Sequence, residues 1–254
     1  MDRFSLLGLC LGIGAVFATQ LIEGGNPAAL AQGPAALIVF VGTLGATLLS
    51  CGDRDLKRAS AECIDVFRPA HAEFERMPAR FRDLAFVARK SGLIALDNAE
   101  GSLLSPFMSR ALRHVIDGCD SSQLRGVLEA DARTREAAAQ GAAEVFEVAG
   151  GYAPTMGILG AVLGLIQAME SLGDPSALGA GIAIAFVATI YGVGIANLLL
   201  LPIASKIRQR ARDQYREDLL VIEGTIGLES GISPRTLERA LDAYLVAEIE
   251  TAQR

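Results

Sequence analysis

The sequence predicts an all-α, polytopic membrane protein with four transmembrane helices and a helical cytoplasmic domain. Charge placement carries most of that prediction. All 23 Lys and Arg fall within residues 1–3, 54–135 and 206–254, so the stretches 4–53 and 136–205 hold no cation. Each stretch is mostly apolar and long enough for two passes, because about 20 residues rising ~1.5 Å apiece cross a hydrocarbon core of about 30 Å. Composition agrees: 51% of residues are hydrophobic and the mean hydropathy is positive, both high for a soluble domain.

The first cation-free stretch divides into apolar runs at 6–22 and 35–51. Between them, Glu23-Gly-Gly-Asn-Pro27 and Gly33-Pro34 supply turn chemistry. The second divides into 149–172 and 178–204 around Gly173-Asp-Pro175. Residues 1–51 and 149–204 are therefore expected to be transmembrane hairpins, 52–148 a cytoplasmic helical domain and 205–254 a cytoplasmic helical tail. Orientation follows from the cytoplasmic excess of Lys and Arg. Arg54, Lys57 and Arg58 follow span 2, and Lys206, Arg208, Arg210 and Arg212 follow span 4, while neither hairpin loop carries a cation. Both termini are then cytoplasmic. Met1-Asp-Arg3 has no basic n-region and no Ala-x-Ala cleavage site before its apolar run, so the first span reads as a retained anchor.

Small residues are frequent in the spans: Gly8 with Gly12, Gly160 with Gly164, and Gly192 near Gly194. Small-xxx-small faces let helices approach closely where lipid gives no hydrophobic drive to associate. Pro154 and Pro202 stand inside spans 3 and 4 near the cytoplasmic side. Each removes a backbone donor, and their matching depth makes them a candidate paired hinge.

No Asp, Glu, Lys, Arg or His lies in the interior of any span. What remains is Thr43 and Thr47 in span 2, Thr155 in span 3, and Thr189, Tyr191 and Asn197 in span 4. These groups hydrogen-bond but do not titrate near neutral pH. If the protein moves protons, the acid must come from a partner.

The segment Ala88-Arg89-Lys90-Ser-Gly-Leu-Ile-Ala-Leu-Asp97 places cations before a Ser91-Gly92 break and acids, Asp97 and Glu100, after it. Leu84, Val87 and Ala88 recur at helical spacing, residues 124–148 read as one long helix, and Ser233-Pro234 starts a last helix. The four cysteines lack metal or CxxC spacing, and His71 and His114 have no ligand-like neighbours. Nothing in the chain marks a nucleic-acid surface, a metal centre, a cofactor site or a nucleophile-base pair, so an enzyme is not expected.

Gly150-Gly-Tyr-Ala-Pro154-Thr-Met-Gly-Ile-Leu-Gly160-Ala-Val-Leu-Gly-Leu-Ile166 is followed by Ala185-Phe-Val-Ala-Thr189-Ile-Tyr191-Gly and Asn197-Leu-Leu-Leu-Leu-Pro202-Ile-Ala. Together with Glu23-Gly-Gly and the segment 88–97, this pattern resembles the MotA/PomA family of flagellar stator subunits over nearly the whole chain. The resemblance implies a bacterial inner-membrane protein. It further implies a ring, expected to be pentameric, around two copies of a single-span MotB-type partner whose membrane Asp titrates. Arg89 and Lys90, with Asp97 and Glu100, would then meet the rotor protein FliG; Asn98 stands where the family often has a second acid. Thr189 and Ala161, with Thr155 and Tyr191, would line the ion pathway. Sodium-driven relatives typically carry a Thr where this chain has Ala161. A partly dehydrated sodium ion needs several oxygen ligands, so the coupling ion is expected to be the proton.

Two other readings compete. ExbB/TolQ-type energisers share the last two spans but usually have one span before the large cytoplasmic segment. A membrane scaffold would use its hydroxyls only to join helices.

Overall fold

The computed structural model describes residues 3–66, 74–99 and 105–252, and no strand occurs among them. Eight helices run through these described residues: α1 (Arg3–Ile22), α2 (Gly33–Ser50), α3 (Asp53–Asp65), α4 (Met77–Ser91), α5 (Pro106–Ile116), α6 (Ser121–Glu170), α7 (Pro175–Glu229) and α8 (Pro234–Ala252). Helices α2, α6 and α7 are long and apolar enough to cross a membrane, and Leu7–Ile22 within α1 is a shorter apolar helix. The chain forms two compact units. One comprises Met1–Pro69 with Ala138–Gln209, the other Ala70–Ala137 with Arg210–Arg254.

In the first unit, α1 stops at Gly24, whose φ of +74° suits a residue without Cβ. Asn26 then caps a short 3₁₀ turn by accepting the Ala28 N–H at 3.0 Å. Helix α2 begins at Gly33, so Gly33-Pro34, read as turn chemistry, is in fact a helix start. Pro34 sits in the first turn, where its missing N–H costs nothing. The α6–α7 reversal is set by Asp174, which accepts the N–H groups of Ser176 at 2.9 Å and Ala177 at 3.4 Å ahead of Pro175.

Helices α6 and α7 meet backbone to backbone. A Cβ added to Gly192 would lie 2.5 Å from the Ala153 carbonyl oxygen and 2.9 Å from the Gly157 Cα. At Gly164 it would meet the Ala185 nitrogen at 2.7 Å, and at Gly181 the Ala168 nitrogen at 2.8 Å. Backbone cannot give way as a side-chain tip does, so this seam requires glycine. The small-residue pairs read from the sequence therefore divide. Gly160 and Gly164 face α7, Gly12 meets the Leu198 side chain, and Gly8 and Gly194 face open space.

Among the described residues, two π-helical turns interrupt the long apolar helices, Leu37–Val41 in α2 and Ala196–Leu200 in α7. The second ends two residues before Pro202, whose absent N–H already disturbs the hydrogen-bond ladder. Pro154, in contrast, lies within an unbroken α-helical run.

The second unit packs α4, α5, the first part of α6, the last part of α7 and α8 around Phe81, Phe107, Leu128, Leu220 and Leu241. Helix α4 ends at Gly92 (φ +82°) and leads into a 3₁₀ segment, Leu93–Ala99, anchored by fully buried Leu96. Val87, grouped with Leu84 and Ala88 by spacing, is exposed, while Leu84 is buried. Asp218 is only 2% exposed. It accepts Arg135 Nη1 at 2.6 Å and Gln214 Nε2 at 3.2 Å, and the same guanidinium lies 5.2 Å from the centre of the Phe107 ring. Burial pushes the Asp218 carboxyl above the usual carboxylate range, and the Arg135 guanidinium pulls it partly back.

Two predictions follow from these contacts. Gly192→Val should abolish accumulation of folded protein in the membrane fraction, whereas Gly14→Ala, with nothing within 4 Å of the added Cβ, should leave it unchanged. Because the folded pKa of Asp218 is raised, its ionised form costs stability at neutral pH, and the cost is recovered as pH falls through the folded value. Asp218→Asn should therefore melt no lower than the parent at pH 7 in detergent. Arg135→Ala, which strands the buried carboxylate, should cost about 3 kcal/mol.

Candidate ion pathway and charged face

In the first unit, the glycine seam sets the positions of the hydroxyls. Thr189 follows Ala188, whose carbonyl oxygen lies 2.9 Å from where a Gly157 Cβ would stand; the Thr189 Cα is 3.4 Å from the same point. Ala161 lies one helical turn after Gly157. Thr189 and Ala161 therefore share a level of the α6–α7 pair, each flanking the seam by roughly 60–70° of helical rotation. Thr189 is exposed, and its Oγ1 donates to the Ala185 carbonyl at 3.2 Å. Its donor is engaged, and its lone pairs remain available to accept.

Thr155 is also exposed and donates to the Tyr152 carbonyl at 2.7 Å. It sits about 200° around α6 from Gly157, away from the seam. Tyr191 turns from Thr189 by the same angle. Its hydroxyl donates to the Leu30 carbonyl, and its ring stacks on Phe40 at 5.5 Å between centres. There it lines an apolar cavity of about 420 Å³ with Phe17, Leu30, Phe40, Ile195 and Leu198. The structure thus brings Thr189 and Ala161 to one level and sets Thr155 and Tyr191 on other faces.

Helix α2 contributes a polar stripe on its buried side. Thr43 and Thr47 are 6% and 5% exposed, and Thr47 Oγ1 donates to the Thr43 carbonyl at 2.8 Å. Thr43 Oγ1 has no hydrogen-bond partner among the described residues. Ser50 Oγ lies 2.9 Å from the Tyr152 hydroxyl. Sequence reasoning passed over the Ser50–Tyr152 pair, because two hydroxyl residues 102 positions apart leave no signal without a fold to join them. Among the described residues, no group of three or more His, Cys, Asp or Glu could hold a metal ion.

In the second unit, Arg89 and Lys90 occupy the last turn of α4, where cations complement the helix dipole. Both are exposed, as is Asp97 in the following 3₁₀ segment. None of the three makes an ion pair with a described residue. Arg82, two turns earlier, is committed to Asp83 at 2.9 Å and Glu238 at 2.8 Å. Glu100 lies outside the described residues, as does His71.

Residues 99–218 match the MotA/TolQ/ExbB proton channel family. The chain is 31% identical to Motility protein A of Helicobacter pylori over 245 residues, covering 96% of this chain and 95% of that protein. This chain belongs to the MotA/PomA family of flagellar motor stator subunits. Its fold is similar to solved stators: the C. jejuni MotAB structure matches with a TM-score of 0.88 at 30% identity, covering 96% of both chains. The flagellar MotAB stator complex from Bacillus subtilis matches with a TM-score of 0.87 at 29% identity, covering 99% of both. The ExbB/TolQ-type alternative yields to relatives named for motility that span almost the full chain.

Proposed function

We propose that this stator subunit works with a single-span MotB-type partner, coupling proton flow across the inner membrane to torque on the rotor. Near full-length similarity to subunits of solved MotAB complexes carries the reading. In it, the Leu7–Ile22 helix joins α2, α6 and α7 as a fourth span, both termini and the 52–148 segment lie in the cytoplasm, and copies form a five-membered ring around two partners. The partner's Asp is the titrating group, and the chain itself carries no catalytic or cofactor site.

Thr189 has the chemistry to distinguish the two states of that Asp. A protonated carboxyl can donate to the free lone pairs of Thr189 while Thr189 keeps its bond to Ala185. An ionised carboxylate can only accept, so it must draw the Thr189 hydroxyl away from that carbonyl. Gain and loss of charge at low dielectric shifts local energy by several kcal/mol, enough to bias two packing arrangements. Ala161 offers no oxygen to a dehydrated sodium ion, which supports proton coupling. Pro154 and Pro202 mark where the helices of the moving pair can flex. On the rotor side, Arg89, Lys90 and Asp97 present unneutralised charges to FliG, with Glu100 completing the acidic half.

The test is swimming speed in a strain that relies on this subunit and its partner. Motility should survive sodium removal and stop when an uncoupler collapses the proton gradient. Thr189→Ser should swim and Thr189→Val should not, at equal membrane abundance. Loss of motility on sodium removal alone, or full speed in the Val variant, would contradict the reading.

A further inference from the structure

Helix α3 follows span helix α2 after a two-residue break at Cys51-Gly52, where the backbone is extended. It lies across α6 instead of along it. Asp55 sets its carboxylate 2.9 Å from where a Gly141 Cβ would stand. Ala59 shares a buried cluster with Ala142 and Val145, and Val66, just past the helix, shares one with Ala143 and Ile207. From Asp55 to Val66 the chain advances about 16 Å, yet its α6 neighbours span only about 6 Å of that helix. The crossing falls on the order of 10 Å along α6 before Tyr152, which hydrogen-bonds Ser50 at the end of α2. That distance matches the headgroup layer beside a hydrocarbon core of about 30 Å.

Arg54 and Arg58 lie on one flank of α3 beside its α6-facing residues, and Lys57, at i+3 from Arg54, lies further round on the side opposite α6, which exposed Asp53 shares. All three cations are exposed, and none has a side-chain partner among the described residues. Asp55 is turned inward, and Glu62 makes an interaction of its own. Of the cations that follow α7's apolar run, Arg208 pairs with Glu147, and Lys206 has a partner. Ile64, one heptad after Lys57 and hence on the same side, is 66% exposed. Unpaired cations beside an exposed isoleucine, on a helix running across a spanning helix at interfacial depth, are the features of an amphipathic helix seated at a bilayer surface.

We infer that Arg54, Lys57 and Arg58 form a binding site for the phosphodiester headgroups of anionic phospholipids, with Ile64 reaching the acyl boundary. The site rests on reading α2 as a membrane span and is independent of the coupling ion. Each juxtamembrane cation near an anionic surface strengthens binding about fivefold, so three together give on the order of a hundredfold.

The test uses the chain purified with its single-span partner. The complex is placed in nanodiscs of phosphatidylcholine alone, or of phosphatidylcholine mixed equally with phosphatidylglycerol. Thermal unfolding is followed in each, and lipids retained through purification are identified by mass spectrometry. The parent should unfold at a higher temperature in the mixed discs and retain phosphatidylglycerol. The triple variant Arg54→Gln, Lys57→Gln, Arg58→Gln should lose both the shift and the retained lipid. Arg235→Gln with Arg239→Gln, on α8 in the other unit, should keep them. Should the triple variant fail to insert, Arg58→Gln alone should show a smaller shift, and salt should erase the difference in the parent. Inorganic phosphate added to phosphatidylcholine discs should produce no shift. An undiminished shift in the triple variant, or none in the parent, would overturn the site. A paralysed strain whose protein still retains phosphatidylglycerol would count against the stator reading alone.

Discussion

The architecture of the membrane-spanning unit depends on the direct backbone contact between α6 and α7. Lipid tails offer no hydrophobic reward for bringing two apolar helices together, so association relies on close packing. Gly157, Gly164, Gly181 and Gly192 let that packing reach the main chain itself. Such closeness has a chemical consequence. A seam without room for a methyl group has no room for a carboxylate, so the polar groups of the pair stand on its flanks, as Thr189 does beside Ala188. A surface of this kind presents hydroxyls and carbonyls and no carboxylate.

Charge is sorted with equal care in the rest of the molecule. Most described cations of the second unit are spent internally, Arg135 on buried Asp218, Arg125 on Glu223 and Arg110 on Asp131. Arg89, Lys90 and Asp97 are left unspent at the end of α4. In the first unit Arg208 is spent on Glu147, while three cations of α3 are not. Exposed pairs add little stability, about 0 to 1 kcal/mol each. Their effect lies in deciding which charges remain free to meet something outside the chain.

Much of this was legible in the sequence, because the bilayer imposes a strong rule: cations stay out of long apolar runs. The three helices long and apolar enough to cross a membrane fall where the gaps 4–53 and 136–205 lie, Gly173-Asp-Pro175 marked a reversal, and Ser233-Pro234 marked a helix start through capping and ring geometry. Gly33-Pro34 was ambiguous, since the same dipeptide serves a turn and a first helical turn. The π-helical turns at Leu37–Val41 and Ala196–Leu200 left no mark in composition, as any apolar residue fits them. The resemblance groups Tyr191 with Thr189 on the ion pathway, yet residues two positions apart on a helix point to nearly opposite sides. Which cations are free and which are paired also lay beyond sequence, because Arg135 and Asp218, 83 positions apart, meet only when the chain folds back.

The central claim is that this chain supplies a pathway but no titrating group at membrane depth. Proton flux into vesicles, read with an entrapped pH-sensitive dye, tests it most directly. Vesicles holding this chain alone should show no flux above that of empty vesicles. Vesicles holding it with its MotB-type partner should show flux, and changing the partner's membrane Asp to Asn should remove it. Flux through the chain alone, or flux that survives the Asp to Asn change, would contradict the account.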